Sequence, residues 1–272
     1  ERQAKGIDFP LILCAHTHTP RAMRISGGRL LVNPGSVGCP GYTDDAHPIP
    51  HAMQTGKPFG VTPVMPEVSY AAAKDHVHKV IETIAPVDSQ ERFEGLGVRV
   101  VREYGRFISP TQVQAGENII EARRFVIATG SGPFVPPIPG IEATPHYTNE
   151  TIFGLRERPD QLLIIGGGPI GIEMAQAHLR LGSKVTVIEG MKAMGKDDPE
   201  LTDVIRRQFV ADGVDIRAGT AVKSVAAVDG GIAVTVVRDG KPEVVTGSHL
   251  LVAAGRQANI DGLNLDAAGV HY

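Results

Sequence analysis

A glycine triplet at fixed spacing, a carboxylate that follows it and two closely set histidines are the residues here whose types and spacing could do chemistry. Gly166, Gly168 and Gly171 form G-x-G-x-x-G within "LLIIGGGPIGIEMA" (162–175), directly after four apolar residues and directly before a helical pattern. In such a turn the first glycine permits the tight strand-to-helix bend. The second leaves the backbone open to a pyrophosphate, and the third lets helix and strand pack closely. The helix N-terminus behind it offers unpaired N–H groups and positive partial charge to phosphates. Glu189 lies 18 residues beyond Gly171, at the end of the next apolar stretch. A carboxylate there accepts hydrogen bonds from both hydroxyls of an adenosine ribose and repels a 2′-phosphate. The pattern favours NAD(H) over NADP(H), and Lys192 and Lys196 nearby leave NADP(H) open.

The elements needed to position these residues are legible around them. Leu162–Ile165 reads as a strand, and Ile170, Met174, Ala177 and Leu181 as one apolar stripe of a helix that Gly182 ends. Lys184–Glu189 is a second strand. Asp198 and Pro199 stand in cap and first-turn positions of a second helix closed by Gly213, and "VDIRAG" follows as a third strand. This β-α-β-α-β order predicts a parallel sheet with right-handed crossovers. Ala221–Val228, Gly231–Arg238 and Pro242–Val245 read as an antiparallel meander turned at Asp229-Gly230 and Asp239-Gly240, and His249–Ala254 as a last apolar strand. Upstream, "SYAAAKDHVHKVIETIA" is helical, with Ala73, Val77, Val80, Ile81 and Ile84 on one face. Strand-like pieces follow at Gly97–Arg102, Arg106–Ser109 and Arg124–Ala128. "TNETIFGLRERP" offers Thr148 or Asn149 as a helix cap, with Pro159 closing the segment.

Bulk properties narrow the function classes. A formal net charge of −3 gives no broad electrostatic case for nucleic acid or an anionic membrane. No apolar run approaches the ~18–20 residues of a membrane span. Nothing at the N-terminus reads as a signal peptide. Two cysteines, Cys14 and Cys39, do not make a disulfide scaffold, so the expected compartment is a reducing cytoplasm.

The motifs from about residue 58 onward resemble those of the pyridine nucleotide-disulfide oxidoreductases, the flavoprotein group of dihydrolipoamide dehydrogenase and mercuric reductase. "RRFVIATGSGPFVPPIPG" is similar to the strand and turn that close the family's FAD domain. "GGGPIGIEMAQAHLRLGSKVTVIE" is similar to its NAD loop, and "LLVAAGRQAN" to the segment where the NAD domain hands back to the FAD domain. By position, the resemblance implies that Gly166, Gly167, Gly168, Pro169, Ile170, Gly171 and Glu173 line NAD, with Glu173 near the nicotinamide. Glu189 would bind the adenosine ribose, Val222 would sit by the adenine and Gly255 would complete the pocket. Thr129, Gly130 and Ser131 would lie against FAD, with Gly105 a weaker flavin contact. The alternative for Glu173 is a first-turn acid favourable to the helix dipole.

The family's own first glycine-rich FAD loop and C-x4-C redox pair are not in this sequence; Cys14 and Cys39 are 25 apart. The expected molecule is therefore α/β: a Rossmann-like NAD-binding domain over 148–265, an incomplete FAD-binding domain over 58–147 and the start of a return to that domain at 266–272. It is expected to be a fragment, inactive alone, of an enzyme whose intact relatives are homodimeric. Residue 1, which is Glu and not Met, fits a piece of a longer protein.

Residues 1–57 read differently. "LILCAHTHTP" and "LLVNPGSVGCP" resemble the C-terminal end of calcineurin-like metallophosphoesterases, with His16 and His18 matching two metal-ligand histidines of that family. Two imidazoles do not hold a dinuclear metal site by themselves, so they are expected to be relict ligands, with no metal bound. The remaining histidines, His178 among them, show no ligand spacing, and His76 and His78, two apart on a helix, are expected to be solvated.

Overall fold

The computed structural model describes residues 11–13, 21–24, 30–33, 53–54, 57, 60 and 62–272. His16, His18, Cys14 and Cys39 lie outside the described residues, and so does most of the phosphoesterase-like stretch. Its two apolar runs contain β1 (Leu11–Leu13) and β3 (Leu30–Asn33), which pair in parallel. β2 (Arg21–Arg24) lies antiparallel on β3.

Chain contacts divide the molecule into two units. Beyond β1–β3, the first takes in Glu82–Gly132 and Gln257–Tyr272. The helix α1 (Tyr70–Ile84) runs into it from the second unit, and the short α2 (Gln90–Gly95) follows, capped by Ser89, whose side chain accepts from the Arg92 N–H. β4 (Gly105–Ser109), β5 (Gln112–Ala115) and β6 (Asn118–Glu121) form an antiparallel meander. Two strands read from the sequence are absent. Residues 97–102 and 124–128 form no ladder, and Val126 and Ile127 are 62% and 40% exposed. Their β-branched residues favour extension, but a strand also needs a neighbour to take its N–H and C=O groups. β7 (Ser131–Pro133) is one strand of a two-stranded sheet whose other member comes last in the chain.

The second unit, Pro133–Arg256 with the described part of Gly38–Ile81, carries the glycine turn. β8 (Gln161–Ile165), α3 (Pro169–Arg180), β9 (Lys184–Ile188), α4 (Pro199–Asp212) and β10 (Asp215–Arg217) alternate as expected. Asp198 caps α4 by accepting from the Glu200 N–H, and Gly213 ends it in the left-handed conformation. The meander β11 (Ala221–Val228), β12 (Gly231–Arg238) and β13 (Lys241–Gly247) precedes β14 (His249–Val252); β15 (Arg256–Ala258) is the partner of β7. The parallel sheet has the order β10-β9-β8-β14. β8 and β14 are apolar after their first residues, Gln161 and His249, because both faces are covered. Leu162, Ile164 and Leu251 pack with the helical layer, including Ile172, Ala175 and Phe209. Leu163, Ile165, Leu250 and Val252 point the other way, onto Val225, Val234, Val236 and Val245 of the meander. Parallel and antiparallel sheets with helices on one side make this an α/β fold.

Three local readings change. The segment 149–159 makes one 3₁₀ turn, Ile152–Gly154, rather than a helix, with Thr148 tied locally to Thr151 and Glu150. The buried face of α3 runs through Gly171, Ile172, Ala175 and His178, offset from the 170-174-177-181 stripe. Small Gly171 and Ala175 let the helix close on the sheet, and the larger Met174 is left at the flank. On α1 the buried residues are Tyr70, Lys74 and Val77, and Ile81 is 40% exposed.

Candidate functional site

The turn after β8 sits at the C-terminal end of a strand flanked by β9 on one side and β14 on the other. The chain passes from β8 to β9 and later returns to β14, so this is the crevice where the strand order reverses and open α/β sheets bind ligands. Gly166 adopts φ +113, and a Cβ there would collide with the Ala253 carbonyl at the end of β14. A Cβ on Gly171 would collide with the Gly166 carbonyl oxygen. Gly168 is different: it is the N-cap of α3 in extended conformation, and a Cβ on it would meet nothing within 4 Å. Two glycines are thus required by packing, and the middle one faces open space at a helix N-terminus. Pro169 begins α3, where its missing N–H costs nothing. Ile170 follows, half-buried.

Glu189 turns back onto this loop. Its Oε2 accepts from the Gly167 N–H at 2.7 Å and its Oε1 from the Met191 N–H at 2.9 Å. Gly167 is held on its other side as well: its carbonyl accepts from the Met194 N–H at 2.8 Å. A Cβ on Gly167 would lie 3.0 Å from Glu189 Cβ and 3.1 Å from Ala193 Cβ. Ala193 and Met194 are buried, and Met194 adopts φ +54 to make this contact. Sequence reading missed Ala193, Met194 and Ala253, because small or apolar residues opposite a glycine carry no chemical signature.

The other candidates on this unit are placed as follows. Glu173 is the fifth residue of α3, beyond the first turn, which contains no acid. The dipole account of Glu173 therefore fails, since that effect fades within one turn. Val222 is half-buried against the meander core, next to a bulge in β11. Gly255 is exposed, at φ +148, and its carbonyl accepts from the Phe134 N–H.

Behind α3, His178 is buried. Its Nδ1 lies 2.9 Å from the Met174 carbonyl, which can only accept, so Nδ1 carries the proton. Nε2 therefore accepts from the Tyr70 hydroxyl at 3.2 Å. Burial pushes the imidazole down to about 4, and burial with Tyr147 pushes the Tyr70 phenol up to about 12. Both are neutral at physiological pH. Lys74 donates to the Ile152 carbonyl and lies over the Phe153 ring at 5.3 Å. This cluster joins α1 to the helix that the glycine turn starts.

The flavin candidates lie on the first unit. Thr129 and Gly130 are exposed, and Gly130 adopts φ +71. Asn259 secures both: its N–H donates to the Gly130 carbonyl and its Nδ2 to the Thr129 carbonyl, each at 3.0 Å. Ser131 opens β7. At Gly105 a Cβ would lie 3.3 Å from Val113 Cγ1, so cross-strand packing accounts for the small residue there. Among the described residues, no group of three His, Cys, Asp or Glu is placed to hold a metal ion, and no helix is long and apolar enough to cross a membrane.

Residues 50–272 match the family described as pyridine nucleotide-disulphide oxidoreductase. The chain belongs to this family. The pyridine nucleotide-disulphide oxidoreductases are enzymes that work with FAD and NAD(P)H. Among curated relatives, a mercuric reductase from Lysinibacillus sphaericus is 30% identical over 205 residues, 75% of this chain and 38% of that enzyme. A dihydrolipoyl dehydrogenase from Chlorobaculum tepidum is 34% identical over 181 residues, 65% of this chain and 38% of the relative. Among solved structures, the HOCl-induced flavoprotein disulfide reductase RclA from Escherichia coli is 25% identical with a TM-score of 0.67, covering 84% of this chain and 50% of RclA. The chain thus spans about two fifths or less of the curated relatives it matches.

Proposed function

We propose that this chain holds the nicotinamide dinucleotide of a flavin-dependent NAD(P)H oxidoreductase, with NAD(H) preferred. The observation that carries this reading is the division of labour in the glycine turn. Gly166 and Gly171 are filled by neighbouring backbone, and Gly168 alone opens the start of α3 to an anion. In this reading Gly166 to Gly171 take the diphosphate and Glu173 lies toward the nicotinamide. Glu189 takes the adenosine ribose, Val222 the adenine, and Gly255 closes the pocket. The nucleotide domain is read as 148–265, with 58–147 and 266–272 as parts of a flavin domain.

Exposed Thr129 and Gly130, pinned by Asn259 and followed by Ser131 at the start of β7, suit a flavin contact, and the role of Gly105 rests on resemblance alone. Bound there, FAD would supply the electron relay between reduced nicotinamide and a disulfide. With cysteines only at positions 14 and 39, the chain carries no C-x4-C pair, so we read it as binding the dinucleotide without completing disulfide reduction by itself. A reducing cytoplasm remains the compartment we assign. The family match begins at residue 50, and the phosphoesterase resemblance of 9–56 stands on its sequence motifs alone.

The test is a titration of the 272-residue chain with NADH and NADPH, followed by nicotinamide fluorescence. Gly168→Ala adds a methyl where the protein has room and a diphosphate would not. It should fold as the parent and bind NADH about tenfold or more weakly, about 1.4 kcal/mol. Glu189→Arg should move preference toward NADPH. Parental NADH affinity in Gly168→Ala would remove the loop assignment.

A further inference from the structure

The outer side of α4 is apolar where water would favour polar residues. The helix buries Thr202 and Phe209 against its own unit, with Arg206 half-buried on the same side. Away from that side, Leu201 is 67% exposed, Val204 57% and Ile205 40%. Spaced i, i+3 and i+4, these three side chains form one patch. Single apolar residues are ordinary on a surface, whereas a contiguous patch on one helix face marks a place where something docks.

The charges along the patch identify the occupant. Glu200 and Arg207 are both exposed and stand seven residues apart, so two helical turns place them on the same border of the patch, beside Val204. The acid marks its N-terminal end and the base its C-terminal end. Arg207 Nε donates to the Asp203 carbonyl at 3.2 Å, which steadies the side chain. The Asp203–Arg206 ion pair lies on the other side of the helix and leaves the patch untouched.

A border with an acid at one end and a base at the other is its own complement when turned end over end. That is the requirement of a two-fold contact between identical chains. An axis crossing between Leu201 and Val204 lays Leu201 on the second copy's Val204, and Val204 on its Leu201. The same rotation sets Glu200 beside the second copy's Arg207, twice over, while Ile205 covers the other flank. Antiparallel helices also oppose their dipoles. A parallel arrangement would instead set Glu200 against Glu200 and Arg207 against Arg207.

We propose that α4 is a docking surface for a second copy of this chain, paired antiparallel through Leu201, Val204 and Ile205 and held in register by two Glu200–Arg207 ion pairs. One helix face makes a small contact, so the association is weak and reversible. It is independent of the nucleotide assignment, because none of these residues belongs to the glycine turn or its ribose acid.

The test is sedimentation velocity of the whole 272-residue chain over roughly 10 µM to 1 mM, a range suited to weak association. The parent should pass from monomer to dimer as concentration rises. Val204→Lys should stay monomeric throughout, with parental circular dichroism and NADH affinity. Glu200→Arg and Arg207→Glu should each weaken the dimer about tenfold, since both ion pairs become repulsive. The double variant, with the charges exchanged, should return to parental association. A parent that stays monomeric at the highest concentration would overturn the proposal. So would a Val204→Lys variant that dimerises undiminished, or a double variant no tighter than the single reversals.

Discussion

The three glycines of the turn make different demands, and substitution separates them. Gly171→Ala drives a methyl into the Gly166 carbonyl, so backbone must shift where helix and strand meet. We expect a loss of about 1–3 kcal/mol, the usual cost of overpacking, read as a lower urea midpoint. Gly168→Ala should leave that midpoint where it is, because its φ of −76 suits any residue and its Cβ has space. Equal destabilisation by the two would mean that the middle glycine also serves packing. The sequence distinguishes these roles only in part. Spacing identifies the turn, and Glu189 stands where a ribose-binding acid is expected. That Glu189 already spends both oxygens on backbone amides depends on the path of residues 190–194, which leaves no trace in spacing. His178 was equally hidden: a single histidine adds nothing to an apolar period, and only packing against Tyr70 reveals its place.

At the scale of elements, the join between α1 and α3 is pH-sensitive. His178 titrates near 4 in the folded chain and near 6.5 when exposed, so between these values the unfolded state binds more protons. Its contribution to stability is fully present above about pH 6.5 and is lost as pH falls toward 4, by about 2–3 kcal/mol. Thermal denaturation from pH 7 to 4 should show this decline, and His178→Gln should flatten it. An unchanged slope would mean that the imidazole is not held neutral. β8 and β14 with their apolar runs, and β9 with its β-branched residues, were legible, and so were α4 and its Asp198 and Gly213 caps, because local chemistry determines them. Residues 97–102 and 124–128 were not, since their apolar alternation reads as strand whether or not a partner strand exists. The offset face of α3 escaped for a related reason: the period marks where large apolar residues fall, whereas Gly171 and Ala175 place the contact.

Across the whole molecule, burial is unevenly shared. Of the buried apolar residues described, only Phe107, Ala115 and Leu265 belong to the first unit, and the others belong to the second. Val98, Tyr104, Ile119 and Val126 of the first unit are exposed. Local opening is governed by buried apolar contact, so amide exchange should be fastest over Glu82–Gly132 and slowest in β8 and β14. Mass-spectrometric exchange on the intact chain reads this directly, and uniform protection across both units would contradict it.

The bulge in β11 bears on how the meander and the glycine turn are reconciled. Val222 pairs with Val236 and Ser224 with Thr235, so Lys223 is the surplus residue. It lets Val222 and Val225, three apart, both look inward, where a regular ladder requires an even interval. Just upstream, the Thr220 N–H donates to the Glu189 carbonyl. Lys223 is therefore one residue of slack between two fixed anchorages. Deleting it would set Val222 and Ser224 next to each other opposite Val236 and Thr235, keeping both valines inward in a regular ladder, so the meander would survive while the local kink that leads the chain back to the Thr220–Glu189 hydrogen bond was lost.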